Sequence, residues 1–137
     1  MIRLIIVTPE RKMFDEDVDA VEVPGFDGEL GILPGHADLL SRLKPAGLLT
    51  YHIGDQTNRI YISDGYVEVG PTRVTVLADR AARPGEIDLT KALTRKETAE
   101  KALQEAATTG EVSDYTDLLA DVERASLEAE IAESKSK

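Results

Sequence analysis

The chain has 137 residues, a formal net charge of −10 and no cysteine. The charge excludes general nucleic-acid binding and attraction to an anionic membrane surface, both of which need basic patches. The missing cysteine excludes a disulfide framework and thiolate metal sites, and the length suits one domain or one domain with an appendage.

Residues 2–7 are rich in Ile, Leu and Val and end at Thr8-Pro9, which predicts a strand followed by a turn. Apolar residues on both faces make it a strand buried on both sides, or an edge strand capped by Met13 and Phe14. The run is too short for a signal peptide or a membrane span, so a soluble, intracellular protein is expected. Residues 18–23 alternate apolar and polar, the pattern of a half-buried strand. From Val23 to Gly47 the backbone is punctuated by Pro24, Gly25, Gly28, Gly31, Pro34 and Gly35, with Leu30, Ile32 and Leu33 between them. Glycine permits unusual φ and close approach, and proline fixes φ, so this is a shaped loop with apolar anchors rather than a flexible linker. It includes a short strand at 30–33. Residues 37–43 are expected to turn Leu39, Leu40 and Leu43 inward before the turn signal Lys44-Pro45-Ala46-Gly47.

Residues 48–53 and 59–62 predict two strands joined by a hairpin loop at 54–58. Residues 66–69 and 74–77 repeat the pattern around Gly70-Pro71-Thr72. Strand candidates recurring roughly every 8–12 residues signal a sandwich or barrel. After Arg83-Pro84-Gly85 the pattern changes: no further proline occurs, and Gly110 is the one remaining glycine. The first helical run opens at the N-cap Asp88 and carries Leu89, Ala92, Leu93, Ala99, Leu103 and Ala106, with Lys96/Glu100 and Glu97/Lys101 as (i, i+4) pairs. Gly110 suits its stop. The second run starts at Ser113 or Asp114 and carries Tyr115, Leu118, Leu119, Val122, Ala125, Leu127, Ala129 and Ile131. It is strongly acidic, with Arg124 its lone arginine, and the tail from Glu133 to Lys137 is polar and expected to fray. The two helices predict an antiparallel hairpin with an alanine-rich seam that buries little area and can detach as a unit.

No residue set for catalysis or metal binding stands out. His36 and His52 lack His-x-His or His-x-x-x-His spacing, and His36 is expected to hydrogen-bond loop backbone. Gly25, Gly28 and Gly31 lack the strand-to-helix context of a dinucleotide fingerprint. The run Asp15-Glu16-Asp17 with Asp19 lacks the glycine and distal Glu of a calcium loop and is expected to be a solvated acidic turn. Asp64 and Asp79 are expected in turns after strands. The residues thus describe a non-enzymatic β domain plus helical hairpin, with the shaped loop as its docking surface.

The run Gly28-Glu29-Leu30-Gly31-Ile32-Leu33-Pro34-Gly35-His36-Ala37, continued by Leu39-Leu40 and Leu43-Lys44-Pro45-Ala46-Gly47, closely resembles the epsilon subunit of F-type ATP synthase. The resemblance continues through Ser63-Asp64-Gly65-Tyr66-Val67-Glu68-Val69, Val74-Thr75-Val76-Leu77-Ala78-Asp79, Ile87-Asp88 and Asp114-Tyr115. It implies a mainly β N-terminal sandwich of about ten strands over residues 1–84 and a C-terminal antiparallel two-helix hairpin over 85–137. It implies a bacterial peripheral subunit at the cytoplasmic face of the membrane, touching membrane only through the complex. Its partners would be the gamma subunit, the c ring and, through the hairpin, the alpha and beta subunits. The subunit would couple proton or sodium flow to ATP synthesis without being the catalyst. Gly28, Glu29, Leu30, Gly31 and His36 carry over as contacts to the c ring, where a rigid carboxylate can accept charge-assisted hydrogen bonds.

The resemblance also implies an ATP site on the hairpin, at Ile87, Asp88, Lys91, Ala92 and Arg124. Here the chain departs from the family's pattern. Lys91 replaces an arginine and loses its bidentate fork, while Thr98 and Glu128 stand where further arginines are expected. No cofactor is required. The acidic second helix opposes docking on an acidic segment of beta, so weak inhibition of ATP hydrolysis is expected. The alternative reading is a soluble ATP-sensing regulatory module that acts through the hairpin.

Overall fold

The computed structural model describes residues 1–109 and 115–135. The chain forms two compact units, Met1–Arg83 and Pro84–Lys137. The first holds eight strands: β1 (Ile2–Val7), β2 (Lys12–Val18), β3 (Ala20–Gly25), β4 (Gly28–Ile32), β5 (Leu39–Arg42), β6 (Gly47–Ile53), β7 (Gln56–Val69) and β8 (Arg73–Ala82). Along the sheet they run β2-β1-β8-β7-β6-β3-β4, with β5 also paired to β7.

The bend in β7 makes this sheet a sandwich. The N-terminal part of β7 pairs with β6, from Ile53↔Gln56 to Gly47↔Ile62, and its C-terminal part pairs with β5, from Arg42↔Tyr66 to Leu39↔Val69. Between the two parts lie Asp64 at φ 51° and Gly65 at φ 120°. A side chain at Gly65 would sit 1.8 Å from the Leu77 carbonyl oxygen, so only glycine allows β8 to follow β7 through the bend. Ile2, Leu4, Ile6, Val21, Val67 and Val76 are fully buried between the layers.

Eight strands stand among the described residues where the resemblance implies about ten. The residue pattern at 59–62 and 66–69 suggests two strands, but β7 runs through both because its pairing to β8 passes from Ser63↔Arg80 to Gly65↔Ala78, skipping Asp64, instead of ending. Asp64 and Asp79 therefore lie inside strands, not in turns. The acidic run is likewise no turn. Asp15, Glu16 and Asp17 form the middle of β2, antiparallel to β1, with Asp15 held by Arg3 at 2.7 Å and Lys12 at 3.1 Å. The chain breaks at Asp19, whose N–H donates to the His52 carbonyl at 2.8 Å and whose carboxylate accepts from the Gly54 N–H at 2.7 Å. This divides the alternating stretch 18–23 between β2 and β3. β1 is interior to the sheet, paired antiparallel to β2 and parallel to β8.

The second unit opens with a 3-10 turn, Pro84–Glu86, followed by α1 (Leu89–Thr109) and α2 (Tyr115–Lys135). Asp88 caps α1 as expected: its carboxylate accepts from the Lys91 N–H at 3.0 Å. Glu97 pairs with Lys101 at 3.5 Å. The buried helical positions are mostly alanines, namely Ala92, Ala125, Ala129 and Ala132, with Glu128 and Ile131. Leu93 and Leu119, expected in the apolar stripes, are 42% and 44% exposed. Each is displaced about 100° around its helix from a neighbouring position, which carries it out of a narrow stripe. The expected stop at Gly110 and caps at Ser113 and Asp114 lie outside the described residues, as do Ser136 and Lys137 of the polar tail.

Candidate docking surfaces

The glycine-punctuated stretch forms a β-hairpin and a pinned loop. β3 and β4 pair from Val21↔Ile32 to Gly25↔Gly28, leaving Phe26 and Asp27 at the tip. A side chain on Gly25 would meet the Gly28 carbonyl oxygen at 2.6 Å, and Gly28 itself has φ 143°. Both glycines are needed for so tight a turn. Pleating then divides the motif. Glu29 and Gly31 are exposed, while Leu30 and Ile32 face the other way, Leu30 packing against the core and Ile32 buried in it.

Beyond β4 the chain turns back at Gly35, at φ 86°, whose N–H donates to the Pro71 carbonyl at 2.7 Å. The His36 N–H donates to the Leu33 carbonyl at 3.2 Å, and its ring Nδ1 lies 2.7 Å from the Ala37 carbonyl oxygen, the backbone contact expected of it. Glu29 thus stands near the hairpin tip, and His36 follows the opposite end of β4. Their positions differ by at least three strand residues, roughly 10 Å. Of the five residues that the resemblance carries over as c-ring contacts, Gly28, Glu29 and Gly31 share the hairpin with Leu30, whose side chain faces the core, and His36 belongs to the loop pinned on the β7–β8 turn.

A second surface escapes a reading of this stretch alone. Register places Leu40 beside Glu68, Thr75 and Ile5, and Arg42 beside Tyr66, Leu77 and Val7. Residues directly paired across strands share a face, so these rows form the outer face of β5, β7, β8 and β1. Leu40 is 69% exposed, Tyr66 54% and Leu77 51%. The expectation that Leu39 and Leu40 both turn inward fails for this reason: adjacent strand residues point to opposite faces, so Leu39 packs on the core and Leu40 faces out. Phe26 extends the apolar face from the hairpin tip. Its N–H donates to the Arg42 carbonyl at 2.8 Å, and the Arg42 guanidinium stacks 4.9 Å from its ring centroid. A shallow groove lined by Asp38, Leu40, Glu68 and Arg73 borders the face. The sequence signal for this surface is the surplus of apolar residues at solvent-facing positions of alternating strands.

In the helical unit the residues of the implied ATP site do not converge. Ile87 is buried and Ala92 fully so, whereas Asp88 and Lys91 are exposed at the start of α1. Arg124 pairs with Asp121 on its own helix. Arg95 and Glu128 lie level across the two helices, joined at 3.2 Å. Lys91 is one turn from that level in one direction and Arg124 one turn in the other, a separation of roughly 12 Å along the axis. Arg95 has no assigned role in the sequence, and Glu128, which stands where the resemblance expects an arginine, is buried rather than on a solvated face. No helix among the described residues is long and apolar enough to cross a membrane, and no group of three or more described His or acidic residues could hold a metal ion.

A β-sandwich with an exposed apolar face and a rigid acidic hairpin, followed by a two-helix unit, defines a subunit-type docking protein. Residues 1–84 match the family described as ATP synthase, Delta/Epsilon chain, beta-sandwich domain. The ATP synthase epsilon chain of Dehalococcoides mccartyi is 40% identical over 136 residues, covering 99% of this chain and 95% of that protein. That of Syntrophobacter fumaroxidans is 43% identical over 132 residues, covering 96% of each. A chain in the OSCP/F1/c-ring structure of the Euglena gracilis mitochondrial ATP synthase superposes with a TM-score of 0.68 at 25% identity, covering 99% of this chain and 81% of that one. The chain belongs to the ATP synthase epsilon chain family, a family of central-stalk subunits.

Proposed function

We propose that the chain couples ion translocation to ATP synthesis as a non-catalytic rotor subunit, bound to the gamma subunit and resting on the c ring at the cytoplasmic face of a bacterial membrane. The observation that carries this reading is the outer face built from Leu40, Tyr66 and Leu77 with Phe26 beside it. An isolated protein rarely leaves a large contiguous apolar patch in water, and covering one with a partner surface is favourable by about 25 cal/mol per Å². This face docks on gamma. Arg42 and Glu68 at its rim select the orientation of the partner, since rim charges act mainly on specificity and encounter rate.

The β3–β4 hairpin makes the second contact, with Gly28, Glu29 and Gly31 meeting the c ring. A coupling element must transmit force without yielding. Glu29 meets that need, being an exposed carboxylate opposite Pro24 in a hairpin whose two end glycines fix the backbone. His36 and its pinned loop border the gamma-facing side. The helical unit reaches toward alpha and beta and regulates ATP hydrolysis weakly, because helix α2 is acidic. The ATP-sensing alternative has less support, with Lys91 and Arg124 held apart and Arg124 engaged by Asp121.

Co-purification with tagged gamma subunit tests the reading. The full chain should co-purify, and Leu40→Asp with Tyr66→Asp should abolish capture while leaving the sandwich folded. Retention of the double variant would remove the apolar face from the interface, and failure of the parent chain to bind would end the central claim.

A further inference from the structure

β3 is held differently at its two ends. On the flank away from β4, its first residues pair with β6, from Ala20↔His52 to Glu22↔Thr50. Past Glu22 that ladder stops, and residues 42–44 take over. The Lys44 N–H donates to the Pro24 carbonyl at 3.1 Å, Gly25 bridges to Leu43, and the Phe26 N–H donates to the Arg42 carbonyl at 2.8 Å. The Arg42 guanidinium lies back over the Phe26 ring, 4.9 Å from its centroid. Phe26 and Arg42 thus meet twice, once through the backbone and once through their side chains, although both residues are exposed. Among the described residues no carboxylate pairs with the Arg42 guanidinium, so the stack is no by-product of an ion pair. Arg42 in turn sits on β5 opposite Tyr66 of β7.

We propose that Arg42 is a positioning residue: stacked on Phe26, it fixes the β3–β4 hairpin and its Glu29 against the outer face of β5 and β7, so that the two docking surfaces move as one body. What each surface touches rests on the function proposed above; the tether itself is a property of the isolated chain. A single hydrogen bond to the Arg42 carbonyl sets a distance but leaves the hairpin tip free to rock about it. A cation held over the face of the ring adds a second point of attachment, which resists that rocking. A guanidinium suits the task, being planar, weakly hydrated and always charged. The stack also covers the Phe26–Arg42 backbone bond, which otherwise meets water at an exposed tip. Beyond Glu22, then, the hairpin is a short arm braced by β5, and Arg42 joins the surface of Glu29 to that of Tyr66.

The chain has no natural cysteine, so Glu29→Cys and Glu68→Cys place one spin label on the hairpin and one on the outer face of β7. Pulsed electron resonance on the full chain, with no partner present, should give a single narrow distance distribution. Arg42→Gln and Phe26→Leu should each broaden it, and the two together should broaden it no further, because they remove one shared contact. Arg42→Lys, which keeps a cation for the ring, should stay narrow. Amide hydrogen exchange gives a second readout. The Phe26 N–H should exchange about threefold faster in Arg42→Gln, the scale of one exposed cation–π contact, and near the parent rate in Arg42→Lys. Unchanged exchange at Ile60 and Ile62 checks that the sandwich is intact in each variant. An Arg42→Gln chain that keeps the narrow distribution and the parent exchange at Phe26 overturns the inference, as does an Arg42→Lys chain that behaves like Arg42→Gln. With gamma absent, either result leaves the docking reading standing, and failure of the parent chain to capture gamma leaves the tether standing.

Discussion

The ring of Phe14 lies 4.7 Å from that of Tyr51, tilted by 48°. Phe14 is on β2 and Tyr51 on β6, strands far apart along the sheet path, so this contact joins the two layers where no backbone pairing does. Burial raises the Tyr51 phenol above its ordinary value of 10.0; Arg83 opposes the shift and Glu16 adds to it. The unfolded chain therefore loses this proton first. The contribution is whole below pH 10 and is lost as pH rises through the folded value. Tyr51→Phe should keep the ring contact and flatten the alkaline fall in stability, as measured by urea unfolding from pH 9 upward. An unchanged alkaline slope would assign that fall to other groups.

Gly65 makes a sharper demand. With φ at 120° and the Leu77 carbonyl oxygen 1.8 Å from where a side chain would begin, Gly65→Ala must displace β8 from β7. A loss of more than about 2 kcal/mol is expected in urea unfolding. Gly31→Ala is the control. Nothing lies within 4 Å of its added carbon, so a change under about 0.5 kcal/mol is expected.

Glu29 is exposed, away from the buried core. Glu29→Ala should leave the urea midpoint nearly unchanged and weaken attachment to the membrane sector by about tenfold, the scale of one charge-assisted hydrogen bond. Reconstitution of depleted membranes, with ATP-driven ion pumping as readout, measures both attachment and coupling. Equal pumping by the variant and the parent would remove Glu29 from the contact.

The Asp15 carboxyl is held below its ordinary value by hydrogen bonds from Arg3 and then Lys12. A depressed carboxyl stabilises the fold above its unfolded value, and this is lost as pH falls through the folded one. Asp15→Asn should remove a contribution that is fully present at neutrality and flatten the acid-side slope below pH 4 by the same amount, a small one because the pair is at the surface. Acid titration followed by circular dichroism checks the sign.

A chain ending at Ala82, reassembled into the complex, should change ATP hydrolysis little. Helix α2 presents Asp117, Asp121, Glu123 and Glu130 to solvent, and acidic side chains repel an acidic partner segment. A large rise in hydrolysis on truncation would show that the hairpin inhibits strongly despite its charge.

Much of this architecture is legible along the chain. Alternation at 18–23 and 66–69, the turn chemistry of Gly54-Asp55 and Gly70-Pro71-Thr72, and the loss of proline after Pro84 announce strands, hairpins and then helices, because each is a property of neighbouring residues and their preferred backbone angles. The Gly28–Gly31 motif also marks the acidic hairpin, since a tight turn leaves its trace in the residues that build it. Leu40 could have been read correctly from the same alternation that placed Leu39.

What the chain order does not contain is which segments meet. Leu4 opposite Val74, Phe14 against Tyr51 and Arg95 against Glu128 join residues separated by most of a domain. Asp15 reads as solvated acid until β1 supplies Arg3, and Glu128 as surface charge until the second helix folds back. Local periodicity determined the elements, the order of the two units and the hairpin motif. Only the tertiary structure decided the apolar face of Leu40, Tyr66 and Leu77 and the ion pair of Arg95 and Glu128, because exposure and pairing depend on neighbours in space that the backbone brings together after the elements have formed.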